Sequence, residues 1–201
     1  MAAFRVYVEQ GAKRTFASAA DWPGWCRSGK DAKSALENLA AYQTRYARVA
    51  KLAKLELPKD AIEFTVVERI KGNATTDFGA PGLPAKAESK PMSPKETQRM
   101  VALVDACWKY LDHVRARSPN ALRKGPRGGG RDRDEMYEHV LGAELEYAKR
   151  IGLRLKQPDR KALAESLRNP NREEKWPVAY AARRIAWHAL DHAWEMEDRL
   201  P

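Results

Sequence analysis

His188 and His192 are the residues whose type and spacing point most directly to chemistry. They lie within Trp176–Arg199, an Ala-rich stretch in which no Gly or Pro follows Pro177 until Pro201. Proline fits the first turn of a helix, where its missing N–H is not needed, so the stretch reads as a helix. Four positions apart on a helix, both imidazoles leave the same face one turn apart. That spacing lets one helix give two nitrogens to a single divalent metal. On its own the pair reads more readily as ordinary polar or half-buried residues, so a metal reading needs a third ligand from another helix. The remaining histidines are His113 and His139.

The segments carrying those two histidines read as helices as well. Ser93-Pro94-Lys95-Glu96 is a capping box with Pro at the first helical position. Met100, Val104, Cys107, Leu111 and Val114 then follow steps of three and four, with Cys107 on the seam as an inert buried thiol. His113 sits at the end of this helix, where a cation suits the dipole, so it reads as a surface or capping residue. A further helix runs from about Asp132 to Ile151, and there His139 is followed by Gly142 and Ala143. Small neighbours leave room for a metal, water, substrate or close helix approach. Pro158-Asp159-Arg160 opens a short helix to about Leu167. Four helices with short connections argue for an all-α four-helix bundle over residues 93–201.

Residues 1–70 read differently. Phe4, Val6 and Val8 alternate with Arg5, Tyr7 and Glu9 as in a half-buried strand, and Arg14–Ala19 returns as a second one. Asp21-Trp22-Pro23-Gly24-Trp25 is a turn, with Trp22 and Trp25 expected to pack it. One amphipathic helix is expected from Asp31 to about Leu55, stopped by Pro58, and Ile62–Val67 alternates as a third strand. Asp21, Pro23, Gly24, Gly29, Ala35 and Leu36 resemble the HicB-like antitoxin domain, although Trp25 stands where that family often has Cys. The resemblance implies an α+β unit with a three-stranded antiparallel sheet and one helix. It also implies a protein-interaction or oligomerisation surface, with a homodimer as one form. Residues 71–92, with several Pro and Gly and no periodicity, read as a linker and domain boundary.

Glu138-His139-Val140-Leu141-Gly142-Ala143-Glu144 and Trp187-His188-Ala189-Leu190-Asp191-His192 resemble the DinB-like family, which carries one His on its second bundle helix and an HxxxH pair on its last. Carried over, that resemblance implies His139, His188 and His192 as metal ligands and leaves His113 out. His139 and His188 lie closer in sequence than the family pattern suggests. Three imidazoles leave coordination positions for water or substrate, and Zn²⁺ or Ni²⁺ suits such donors. Relatives in that family imply a metal-dependent hydrolase or a thiol-dependent transferase or isomerase acting with a low-molecular-weight thiol. Glu195, near the same helix face, is the candidate for a base or an orienter of a ligand, with Asp191 and Arg184 behind it. Trp187, Trp194 and Tyr180 read as core. The alternative function is a non-catalytic interaction or stress-associated protein, in which the N-terminal unit binds a partner and the helices are a scaffold.

Composition bounds these readings. At 201 residues, 43% hydrophobic and 32% charged, the chain has enough apolar material for a sizeable core. No apolar run approaches the ~18–20 residues of a membrane helix, and the N-terminus has no basic-then-apolar signal pattern, so a cytoplasmic location is expected. Cys26 and Cys107 form no CxxC, against a disulfide framework or a thiolate zinc site. The net charge of +10 raises nucleic acid as a partner, but basic and acidic residues interleave, as in Arg131-Asp132-Arg133-Asp134-Glu135, and no nucleic-acid reader is recognisable. The Gly- and Arg-rich loop Arg123–Arg131 lacks the strand and GK[ST] ending of a phosphate loop, and reads as a flexible rim.

Overall fold

The computed structural model describes residues 2–58, 62–125, 129–170 and 175–201. Among these residues the chain is an α+β protein with four strands and seven α-helices. β1 (Ala2–Gln10), β2 (Thr15–Ala19), β3 (Cys26–Gly29) and β4 (Ile62–Lys71) form one sheet in the order β3-β2-β1-β4. β2 pairs antiparallel with β1 and β3, whereas β4 runs parallel to β1, with a register irregularity at Val6/Tyr7. The sheet is therefore mixed and four-stranded, not three-stranded and antiparallel. Cys26–Gly29 is too short to show an alternating pattern. The parallel direction of β4 requires a long crossover, which the chain between β3 and β4 supplies.

That crossover consists of two helices, not one. α1 (Ala32–Ala41) and α2 (Gln43–Leu52) meet at Tyr42, whose φ of −93° and ψ of 3° break the helical path. Asp31 caps α1 through the Ser34 amide. Each helix buries its own short stripe, Ala35 and Leu39 on α1, then Tyr46, Val49 and Ala50 on α2. A break between the stripes keeps both on the core.

α4 (Pro94–Arg117), α5 (Arg133–Arg150), α6 (Arg160–Arg168) and α7 (Val178–Asp198) supply the helical half. α7 packs against α4 and α5, and α6 packs on α4. Every residue from Tyr180 to Leu190 is buried, including Arg183, Arg184 and His188. α7 is thus central, and Ala181, Ala182, Ala186 and Ala189 let its neighbours approach closely. The Asp21–Trp25 turn docks between α4 and α7. Gly24 has a φ of +92°, and a Cβ there would lie 2.8 Å from Leu190 Cδ1 and 3.0 Å from Cys107 Sγ. Trp25 is 1% exposed, stacks 5.4 Å from Tyr46 and donates to the Leu39 carbonyl, so it packs the turn as expected. A single hydrophobic cluster runs from Phe4, Val6 and Trp25 through Tyr46 to Leu111 and Trp194.

Residues 71–92, expected as a linker, carry α3 (Ala74–Phe78) and a 3-10 turn at Lys86–Ser89 packed onto the rest of the chain. Glu9 accepts from the Thr76 hydroxyl and the Gly82 and Leu83 amides. Glu88 is buried against Arg183 of α7, with Nε to Oε1 at 2.6 Å and Nη2 to Oε2 at 2.9 Å. Polar contacts with residues distant in sequence hold this segment, which is why it lacks hydrophobic period. No helix among the described residues is long and apolar enough to cross a membrane.

Candidate metal centre

α5 and α7 bring together His139, His188 and His192. One ring nitrogen of each lies within 4.8 Å of the others. The ring centroids are 5.0 Å (His139–His188), 5.0 Å (His139–His192) and 4.7 Å (His188–His192) apart, and the planes are tilted steeply to one another. The 4.7 Å figure is the i,i+4 spacing made visible, and α5 crosses close enough to α7 to complete the set. His139 Nε2 stands 3.3 Å from His188 Nε2. Tetrahedral ligands about 2.0–2.1 Å from zinc would themselves be about 3.3 Å apart, so this pair already has the separation a shared ion requires.

The electrostatics suit neutral donors. Burial, reinforced by His192 and Arg184, pushes His188 well below the ordinary histidine value. Burial, with His192 and Arg131 adding to it, also lowers His139, while Glu195 acts in the opposite sense. Neutral imidazoles are the form that ligates metal. His188 is 7% exposed, and its Nδ1 is buried without a hydrogen-bond partner.

Glu195 lies in the same constellation. Its Oε2 is 3.0 Å from His192 Nδ1, and its Oε1 accepts from Arg199 Nη1 at 2.9 Å. The hydrogen bond from His192 is the main reason its carboxyl is held below the usual range. With Nδ1 engaged, His192 keeps Nε2 free, the arrangement by which a carboxylate fixes a ligating histidine. Asp191 turns elsewhere and pairs with Arg27 Nη1 at 3.0 Å, while burial raises its carboxyl. His113 is exposed near the end of α4 and lines a separate cleft with Arg117 and Glu197. Trp187, Trp194 and Tyr180 are buried, as a core reading requires.

Two residues in this neighbourhood escaped the sequence reading. Arg199, four positions after Glu195, had the helical spacing for an ion pair with it. Tyr147, on α5 beyond His139, has its ring 5.8 Å from that of His188, and only the crossing of the helices reveals this. The Gly/Arg-rich loop lies in part outside the described residues, at 126–128. Its described ends are tied down. Arg199 Nε donates to the Arg123 carbonyl at 2.7 Å, and Lys124 Nζ pairs with Asp132 at 2.7 Å.

No protein-family model, curated protein or solved structure matches this chain.

Proposed function

We propose that His139, His188 and His192 hold a zinc or nickel ion, and that the chain is a metal-dependent enzyme of DinB-like type, a hydrolase or a thiol-dependent transferase or isomerase. The observation that carries this reading is the convergence of three imidazoles from two helices, with donor nitrogens within 4.8 Å. The finer layout belongs to the same proposal: α4 to α7 as a DinB-like four-helix bundle, preceded by a HicB-like unit that serves as an interaction surface.

The residues fit the ion by their chemistry. All three are nitrogen donors, two of them shifted toward the neutral form, with no thiolate or carboxylate among them. Such an ion would supply Lewis acidity toward a water or a small thiol. Glu195 holds His192 by its Nδ1–H and is itself held by Arg199. Both its oxygens are engaged and its basicity is reduced, so it acts as a positioning residue and not as a base. Burial of His188 by the Tyr147 and Trp187 rings keeps bulk water from its side of the site.

A scaffold role offers a competing account, since two neutral imidazoles 3.3 Å apart can share one hydrogen bond. That account gives the clamp of Glu195 on His192 no purpose, whereas a shared ion would use the Nε2 that the clamp leaves free. Metal content by mass spectrometry of the purified chain, compared with His139→Ala and His192→Ala, tests the proposal. About one zinc or nickel per chain, lost in both variants, supports it. A wild-type chain that stays metal-free after reconstitution refutes it.

A further inference from the structure

α7 carries two adjacent buried arginines, and their surroundings differ sharply. Arg183 is fully engaged: it bonds both oxygens of Glu88, the Leu83 carbonyl and the Ser18 hydroxyl. Arg184 is 8% exposed, yet its Nε and Nη1 are buried with no hydrogen-bond partner among the described residues. Its guanidinium sits 4.5 Å from the Trp187 ring centroid and 5.5 Å from that of Tyr147. Ring faces attract a cation, but they do not replace the lost hydrogen bonds or the missing negative charge. A buried charge left in this state is costly, and such exceptions call for a functional explanation.

The location supplies that explanation. Arg184 precedes His188 by one helical turn, and the two side chains share both ring neighbours, Tyr147 and Trp187. His188 Nδ1, one helical turn along from Arg184, is a second buried position without a hydrogen-bond partner among the described residues, while Nε2 of the same ring faces His139. Glu195, the one carboxylate bonded to the cluster among the described residues, is already shared between His192 and Arg199. A divalent ion held by three neutral imidazoles would add two positive charges beside Arg184, with no anionic ligand in the set among the described residues. The planar guanidinium is suited to a carboxylate. On the α5 side the half-buried ring of Tyr147 lies over Arg184.

We propose that Arg184, assisted by His188 Nδ1, receives the carboxylate of a small anionic ligand that binds at the three-histidine centre. This rests on the metal reading above and narrows it to carboxylate-bearing substrates. Displacement of the Tyr147 ring admits the anion, and the ligand supplies the charge that the fold withholds from Arg184.

The test uses the full chain loaded with cobalt(II), whose visible absorption reports on the coordination sphere. Metal stoichiometry is measured first, then acetate is titrated into wild type and Arg184→Met, and the metal-free forms are melted. Arg184→Met is expected to bind cobalt as the wild type does but acetate at least about tenfold more weakly, the loss of one charge-assisted hydrogen bond. It is expected to melt no lower than the wild type, because an uncompensated buried charge has been removed. Equal acetate affinity in the two proteins, or no acetate binding to a cobalt-loaded wild type, overturns the proposal. So does an Arg184→Met chain that melts lower or fails to fold, since Arg184 would then be structural. Failure of the wild type to bind cobalt is a different result. It removes the metal centre itself, and the carboxylate site with it.

Discussion

Glu88→Gln removes the charge that faces Arg183 and leaves α7 itself unaltered. The two side chains are 4% and 5% exposed, so the pair is desolvated, and α7 is the helix that carries His188 and His192. At an effective dielectric of ~20, unit charges roughly 4 Å apart attract by about 4 kcal/mol. Orphaning one member of a buried pair costs about 3–5 kcal/mol in comparable cases, so the two routes agree. Glutamine keeps one carbonyl acceptor, and the Leu83 carbonyl still accepts from Nη2 at 3.0 Å, so the lower end, about 3 kcal/mol, is expected. Urea denaturation of the metal-free chain, with Glu88→Met, Arg183→Met and the double variant completing a cycle, measures the loss and the coupling. The double variant should recover most of the loss, because a pair of apolar side chains needs no counter-charge. A loss below about 1 kcal/mol for Glu88→Gln would refute the reasoning, since that is the range of an exposed pair.

Glu195→Gln should weaken metal affinity by about 10- to 100-fold, read by competition with a chromophoric chelator, because His192 loses the anion that fixes its ring. In the metal-free chain, stability should fall as the pH drops through about 6.5. Below that value the unfolded chain takes up protons that buried His188 and half-buried His139 resist, so the unfolded state is increasingly favoured. Melting temperature followed from about pH 7.5 to 5 should show this decline, and His188→Asn should flatten it. Gly24→Ala should lose about 1–3 kcal/mol in denaturant titration, since a φ of +92° and a 2.8 Å approach to Leu190 both oppose a Cβ. Burial pushes the Cys26 thiol up to about 12, and Cys107 is raised as well. Both thiols should therefore resist a thiol-labelling reagent in the native chain at mildly alkaline pH and react fully once it is unfolded.

Much of the local structure was legible from residue pattern. The Ser93-Pro94 start of α4, the stripe from Met100 to Val114 and the long Ala-rich α7 depend on contacts within a few turns, and such contacts leave a periodic trace. The His188–His192 pair was legible for the same reason. The sheet was less so. The parallel pairing of β4 with β1 joins segments more than fifty positions apart, and β3 is only four residues long, so neither leaves a usable signature.

The polar contacts divide along the same line. A helical interval of three or four ties Glu195 to His192 and to Arg199, and both pairs can be found by counting along the chain. Glu88 with Arg183, Glu9 with the 76–83 segment, and Tyr147 above Arg184 depend on where whole elements cross, which no local pattern encodes. The ligand types and their helix spacing are properties of the chain. That His139 reaches the His188–His192 pair while His113 stays exposed is a property of how α4 and α5 pack around α7, because packing decides which face of each helix is turned inward.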